Sequence, residues 1–145
     1  MTVQFFFLKH NISLRNRGAL KTFISRIFKL ERHKLKDLTY IFCSDDYLLE
    51  INKASLRHDY YTDIITFNLS ETPGAISGEI YISTDRVRDN AQQLSVTITE
   101  ELHRVILHGA LHLCGYKDKT VKHAKEMRDA EDKYLNVYFK QFYTS

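Results

Sequence analysis

Residues 97–115 form the most sharply bounded helix signal in the sequence. Thr97-Ile98-Thr99-Glu100 has the capping-box spacing that satisfies free amide groups at a helix start. An apolar run follows, and Gly115 is typical of the position just after a helix end, where the backbone turns left-handed. We therefore expect a helix over residues 98–113 whose apolar surface the rest of the chain has to cover.

The other segments alternate between the two-residue period of strands and the 3.6-residue period of helices. Strands are predicted at residues 2–8, 38–43, 62–69 and 78–83. Further helices are predicted at residues 14–30, 44–54, 84–94 and 120–139. In the helix at 84–94 we expect an apolar stack of Val87, Ala91 and Leu94. In the last helix we expect six inward residues, namely Val121, Ala124, Met127, Tyr134, Leu135 and Tyr138. This order predicts one α+β domain over residues 1–145, with a roughly four-stranded mixed sheet covered by about five helices.

The composition excludes several classes of protein. Hydrophobic residues make up 43% and charged residues 27% of the chain, which is globular rather than disordered. The longest apolar runs, such as residues 5–8, are far shorter than the ~20 residues that span a bilayer. No positive region precedes an apolar stretch at the N-terminus, so we expect neither a signal peptide nor a membrane partner. With only Cys43 and Cys114, a disulfide framework is not expected, and the cytoplasm is the simplest location.

Positive charge is concentrated near the N-terminus. Residues 9–36 contain nine Lys and Arg residues but a single acid, Glu31, whereas the rest of the chain has a net negative charge. Such asymmetry favours a polyanionic partner. The alternative is an ordinary helix face in contact with solvent.

A possible metal site lies within the helix predicted at residues 98–113. His108 and His112 are four residues apart, so they project from one face within reach of a single ion. Gly115 then turns the chain back, and Asp118 is placed to supply a third ligand. Two imidazoles and a carboxylate leave a fourth position open, as in catalytic zinc sites. We therefore predict a site for one divalent metal ion, with zinc as the expected metal.

Other interpretations of these residues remain open. Two histidines at this spacing are often incidental, Asp118 is also suited to cap the last helix, and His123 is a weaker candidate for the third ligand. Cys114 is expected to pack in the core. The pattern H-x-x-x-H-x-x-G-x-x-D parallels that of metzincin proteases, which place a Glu after the first His as general base. Here that position is Gly109, which argues against a peptidase.

Three segments of the chain resemble motifs of the YbeY family of endoribonucleases. That family carries H-G-x-L-H-L-x-G-Y-D-H, and this chain has HGALHLCGYKD at residues 108–118. The family carries L-N-x-x-Y-R before T-D-V-L-S-F, and here INKASLR at residues 51–57 precedes TDIITF at residues 62–67. It also carries G-D-I-x-I-S, which corresponds to GEIYIS at residues 78–83. The motifs occur in the family's order, and the resemblance covers about residues 40–135.

The resemblance implies a function in RNA metabolism. It implies a metal-dependent single-strand endoribonuclease that matures the 3′ end of small-subunit ribosomal RNA and takes part in ribosome quality control. The expected partners are single-stranded RNA, ribosomal RNA in particular, and the small ribosomal subunit. Within the basic segment, Arg26 and Lys29 become candidates for RNA contacts.

The resemblance also assigns roles to individual residues. It implies that His108, His112 and Asp118 hold the metal and that Arg57 takes the place of a functionally important arginine. Asp118 is a departure, because the family usually has His there, and an oxygen ligand is harder and adds negative charge. As a catalytic residue, Arg57 would offer a planar, permanently charged fork to the phosphate. The sequence assigns no general base.

Two other functions are compatible with the same residues. The metzincin-like spacing suggests a metallopeptidase-like hydrolase. The changed ligand at Asp118 suggests a non-catalytic ribosome assembly factor in which the metal mainly stabilises the fold. In the nuclease interpretation, the ion makes an attacking water more acidic or polarises a phosphoryl oxygen.

Overall fold

The structure is a computed structural model that describes residues 2–142. The strands of this region are β1 (Val3–Phe7), β2 (Lys34–Cys43), β3 (Ile64–Asn68) and β4 (Ala75–Ser83). The helices are α1 (Arg17–Leu30), α2 (Asp45–Leu56), α3 (Thr84–Leu94), α4 (Ile98–Leu113) and α5 (Val121–Phe142). The predicted α+β class, with a four-stranded mixed sheet and five helices, is confirmed for the described residues.

The sheet has the strand order β1-β2-β4-β3. Both β1 and β4 pair with β2 in parallel, and β3 pairs with β4 in antiparallel orientation. The strands β2 and β4 begin earlier than predicted, because Lys34 and Ala75 already pair with each other. The start of β2 is polar, so it gave no period-two signal in the sequence. As an edge strand, β3 has one side of its backbone that none of the other strands within residues 2–142 covers.

One face of the sheet packs against α1 and α4. The buried residues of the two central strands on this face are Leu38, Tyr40, Phe42, Ile80 and Ile82. The apolar stripe predicted for α1 is confirmed, with Leu20, Phe23, Ile24, Ile27 and Phe28 all buried. At the centre of the sheet, the Tyr40 hydroxyl donates a hydrogen bond to the Ile106 carbonyl oxygen of α4 at 2.8 Å. This bond satisfies the buried hydroxyl and ties α4 to the sheet.

The bounds of α4 agree with its predicted signals. The Thr97 side chain accepts a hydrogen bond from the Glu100 amide at 3.0 Å, and Gly115 adopts a left-handed φ of 104°. In the middle of the helix, a Cβ atom at Gly109 would lie 2.8 Å from Ile80 Cδ1 and 3.1 Å from Ile64 Cδ1. The absence of a side chain at Gly109 therefore lets α4 approach β3 and β4 closely.

Two predictions about helix faces are wrong. In α5, Val121 is 91% exposed and Ala124 is exposed as well, because the stripe of α5 reaches the core only from Met127 onward. The four other predicted positions of this helix, Met127, Tyr134, Leu135 and Tyr138, are buried as expected. In α3, Leu94 is 55% exposed because it lies at the end of the helix, beyond the buried Val87 and Ala91.

Both cysteines are buried and unpaired, which agrees with the expected packing of Cys114. Burial raises the pKa of each thiol to about 12, with help from the negative charge of nearby carboxylates. The two side chains therefore behave as packed apolar groups rather than as nucleophiles.

Over residues 2–142, none of the helices combines the length and the apolar character required to cross a lipid bilayer.

Candidate active site

A cleft of about 720 Å³ opens beside α4. Its walls come from the end of α2 and the loop after it, from the start of β3, from α4 and from the first half of α5. All three predicted metal ligands, His108, His112 and Asp118, line this cleft. The fold therefore brings together the residues that the spacing had grouped.

The two histidines are held in the same way. Their rings stack with centroids 6.5 Å apart and planes 8° from parallel. The Nδ1 atom of His108 lies 2.6 Å from Glu131 Oε2, and that of His112 lies 3.0 Å from the Tyr116 carbonyl oxygen. Because a carboxylate and a carbonyl only accept, we assign the ring proton to Nδ1 in both residues. When the rings are neutral, their Nε2 atoms keep the lone pairs with which histidines bind metals.

Asp118 lies beside His108, with 3.2 Å between Asp118 Oδ2 and His108 Nε2. The chain reaches this position because Gly115 turns it back at the end of α4, and the Tyr116 amide then donates to the Leu111 carbonyl oxygen at 3.1 Å. The alternative role of Asp118 as a helix cap is taken by Thr120, whose hydroxyl oxygen accepts from the His123 amide at 3.1 Å.

The chemistry of the donor set fits one divalent ion. The donor set consists of two imidazole nitrogens and one carboxylate oxygen. The other nitrogen of each imidazole ring is held by a hydrogen bond. Within residues 2–142, no three His, Cys, Asp or Glu side chains are gathered into a ready-made metal cluster. Instead, Asp118 and His108 contact each other, and an ion would replace that contact. His123 does not line the cleft, which leaves Asp118 as the better third candidate.

Glu131 is a site residue that sequence reasoning missed. It is only 4% exposed on α5, and it binds His108 and also Arg104, whose Nη1 lies 2.9 Å from Glu131 Oε1. Burial acts to lower the pKa of His108, but the hydrogen bond and charge of Glu131 outweigh it and raise the pKa overall. The sequence pattern that could have revealed Glu131 is its place on the buried stripe of α5, where an acid is unusual. It lies four residues after Met127 and three before Tyr134.

Two further carboxyl groups line the cleft, those of Asp63 and Glu101. Glu101 is 5% exposed and lies on α4, whereas Asp63 precedes β3. Burial raises the pKa of both groups, so each holds a proton at a higher pH than a free carboxyl group does. This makes them candidates for proton exchange, a role for which the sequence suggested no residue.

Arg57 lies at the rim of the cleft rather than in its lining. It is the C-cap of α2, with a left-handed φ of 58°, and the amide of the next residue, His58, donates to the Asn52 carbonyl oxygen. Its neighbours Leu56 and His58 line the cleft, but the Arg57 side chain is exposed and is not part of the lining. Its catalytic role therefore stays a prediction.

Arg26 and Lys29 are exposed on α1 and lie in a different place. They line a shallow groove of about 580 Å³ between α1 and the end of α5, together with Phe142. This groove shares no lining residue with the cleft of His108. The basic segment is thus not brought into the candidate active site, and its contact with RNA stays a prediction.

The position of Gly109 bears on the peptidase alternative. Because its missing Cβ would meet Ile80 and Ile64, this position faces the sheet and not the cleft. A glutamate there would enter the core, so it could not serve as the general base of a metzincin-like site.

Comparisons with known proteins agree with the motifs. The family profile described as Endoribonuclease YbeY matches residues 8–138. The Endoribonuclease YbeY of Cytophaga hutchinsonii is 52% identical over 136 residues, which cover 94% of this chain and 95% of the relative. That of Christiangramia forsetii is 38% identical over 133 residues, which cover 92% of each chain.

A solved structure shows a similar fold. The solution structure of TM1509 from Thermotoga maritima has a TM-score of 0.66 and 29% sequence identity, and the match covers 97% of this chain and 91% of that one. The family profile includes every candidate site residue named so far, from Arg26 to Glu131. With the profile matching most of its length and relatives similar from end to end, the chain belongs to the YbeY family.

Proposed function

We propose that this chain is a metal-dependent endoribonuclease that cuts single-stranded RNA. The observation that carries the proposal is the pair of stacked histidines, each anchored at Nδ1, with Asp118 beside His108 Nε2. RNA as the substrate is supported by membership of a family whose relatives are named endoribonucleases.

The ion would be held by His108, His112 and Asp118, with zinc as the expected metal. When bound, such an ion supplies Lewis-acid chemistry that polarises a phosphoryl oxygen or makes a water more acidic. Glu131 and the Tyr116 carbonyl keep the two imidazole rings in their orientation. Outer groups of this kind set the tautomer and basicity of histidine ligands.

Other residues of the cleft would act on the RNA itself. Lys119 and Arg128 line the cleft and bring positive charge to the place where a phosphate has to enter. Arg57, at the rim, offers a bidentate fork to the phosphate and to the charge that develops on it. Asp63 and Glu101 are the groups that would take up or release a proton, because burial favours their protonated forms.

Membership of the family supports a proposal for the cellular role. We infer that the chain matures the 3′ end of small-subunit ribosomal RNA and acts in ribosome quality control, in the cytoplasm and in contact with the small ribosomal subunit. The basic face of α1, with Arg26 and Lys29, lies outside the cleft. It supports a polyanionic partner because concentrated positive charge attracts polyanions.

A non-catalytic assembly factor is the second candidate function. It is favoured by the departure at Asp118 and by the direct contact between Asp118 and His108. In that case the ion would stabilise the fold, and RNA would bind without being cut.

One experiment separates these functions. Protein of measured metal content is incubated with a single-stranded RNA, with and without a chelator, beside a peptide substrate. We expect RNA cleavage that the chelator abolishes and added metal restores, with no peptide cleavage. The variant His108→Ala should be inactive, and the matched control His123→Ala, on a histidine outside the cleft, should keep its activity. RNA binding without cleavage at any metal loading would favour the assembly factor.

A further inference from the structure

The loop after α2 presents two rings at the cleft, those of His58 and Tyr60. Both residues line the cleft. Their ring centroids are 5.2 Å apart with planes 20° from parallel, and the Tyr60 hydroxyl lies 3.0 Å from His58 Nδ1. Tyr60 is 56% exposed, so a large part of its ring surface faces solvent. These two stacked side chains are called the ring pair below.

The ring pair is held in place by one buried residue. Asn52 is 1% exposed, and its side-chain amide donates to the Tyr60 carbonyl oxygen at 2.9 Å. The Asn52 carbonyl oxygen accepts from the His58 amide at 3.1 Å. Both halves of the loop are thereby tied to α2, and a ligand that stacks there does not have to order the loop first.

The surroundings of the ring pair indicate what it binds. Arg57 lies next to His58 in the chain, and Lys119 and Arg128 line the same cleft. Exposed rings combined with cations are typical of sites for single-stranded nucleic acid, where bases stack on the rings and phosphates contact the cations. Leu56, which is 42% exposed and also lines the cleft, adds an apolar contact of the kind that a base accepts.

We propose that the ring pair of His58 and Tyr60 binds one unpaired base of the RNA substrate by stacking. This inference rests on the proposed function, since it names how that site recognises its substrate. Stacking on the ring pair requires a base whose face is free, so the ring pair discriminates single strands from duplexes. It contributes to affinity for any base, because every base has such a face.

The test uses a single-stranded RNA that carries 2-aminopurine, with a chelator present, so that it reports stacking and is not cut. We expect its fluorescence to be quenched on binding to the wild-type protein. Tyr60→Leu should remove the quenching and weaken binding about 5- to 100-fold, whereas Tyr60→Phe should retain both. The dependence of affinity on salt should stay the same in Tyr60→Leu, because stacking releases no counterions.

Tyr61 supplies a matched control. It is 48% exposed and adjacent in sequence, but its hydroxyl donates to Asp46 at 3.1 Å and its ring does not line the cleft. Tyr61→Leu should leave quenching and affinity unchanged. His58→Ala is a second variant of the ring pair, and thermal melts of all variants show whether the fold is retained.

The outcomes separate this inference from the nuclease itself. If the wild-type protein cuts RNA while folded Tyr60→Leu and His58→Ala both bind and quench normally, the ring pair does not stack on a base, and the nuclease proposal stands. If the wild-type protein cuts no RNA but Tyr60→Leu loses quenching and affinity, the ring pair is supported and the nuclease proposal fails. Equal losses in Tyr61→Leu and Tyr60→Leu would also overturn the inference.

Discussion

The Glu31 carboxylate accepts a hydrogen bond from the Tyr116 hydroxyl at 3.0 Å, although the two residues are 85 positions apart. The other oxygen of Glu31 accepts from the Tyr134 hydroxyl. Burial and the contact with Glu31 raise the pKa of Tyr116 to about 12, so its hydroxyl stays a donor. Because the Tyr116 carbonyl holds His112, the end of α1 is connected to a candidate metal ligand through one residue.

This connection predicts an effect of Tyr116→Phe on metal binding. The variant keeps the carbonyl but loses the bond to Glu31, so the loop that carries Asp118 becomes less constrained. We expect metal affinity to fall about tenfold, at the lower end of the range for outer groups of metal sites. Competition with a chromophoric chelator measures it. Glu31→Gln should show a similar loss, and Glu71→Gln, in a turn far along the sheet, should show none.

The pair of His108 and Glu131 predicts a pH-dependent stability in the metal-free protein. Since the pKa of His108 is raised in the folded state, its charged contact with Glu131 stabilises the fold below the unfolded pKa of about 6.5. That contribution is lost as the pH rises through the folded pKa. Glu131→Gln should therefore lower the free energy of unfolding by about 1.5–3 kcal/mol more at pH ~5.5 than at pH ~8.5.

Urea unfolding at both pH values checks this expectation, and NMR titration of His108 should show a lower pKa in Glu131→Gln. The bond between Glu131 and Arg104 is present at both pH values, so its loss cancels in the comparison. An equal destabilisation at the two pH values would mean that His108 is neutral throughout.

Metal content is predicted to be about one divalent ion per chain. Elemental analysis should cover zinc first and also nickel and iron, because the Asp118 oxygen is a harder ligand than an imidazole nitrogen. His112→Ala should lose the ion and Asp118→Asn should bind it more weakly, while His123→Ala should match the wild type. If His112→Ala retained the full metal content, His112 would have no part in the site.

Arg57 allows activity to be separated from stability. Arg57→Lys retains the charge but not the bidentate fork, so cleavage should fall, and Arg57→Ala should reduce it further. Because Arg57 has a left-handed φ of 58°, Arg57→Gly should be as stable as the wild type or up to about 1 kcal/mol more stable, yet inactive. Cleavage rates measure the effect of each variant on activity, and thermal melts measure its effect on stability. Wild-type cleavage rates in all three variants would show that Arg57 has no catalytic role.

The basic face of α1 is predicted to bind RNA without contributing to chemistry. Replacing Arg26 and Lys29 with Gln should weaken RNA binding for all sequences, because phosphate contacts carry no base information. The slope of log affinity against log salt should flatten by up to about 0.7 for each phosphate that the variant no longer neutralises. His108→Ala should do the reverse, with cleavage abolished and affinity retained. An unchanged salt slope in the double variant would place the RNA elsewhere.

The parts of the site that local sequence patterns encode were predictable. Capping at Thr97, the turn at Gly115 and the spacing of His108 and His112 depend only on neighbours in the chain, and the structure places these residues as expected. The buried stripe of α1 was predictable for the same reason, since its period is regular.

Features that depend on distant segments were not predictable. The role of Glu131 requires a partner 23 positions away, and an acid on a helix gives no sign of which histidine it will meet. Val121 was misplaced because periodicity shows which face of a helix is apolar but not where the neighbouring core ends. The early start of β2 was missed because Lys34 pairs through its backbone, whatever its side chain.

The three candidate ligands all lie within residues 108–118, whereas the carboxylate that orients His108, that of Glu131, is 23 positions away. Two histidines four residues apart remain close together in the unfolded chain, so an ion has affinity for the unfolded state as well. Binding to both states reduces the stabilisation that an ion confers, and added metal should raise the Tm by less than its affinity for the folded protein suggests. We therefore expect the metal-free chain to keep its fold and the unfolded chain to retain some metal.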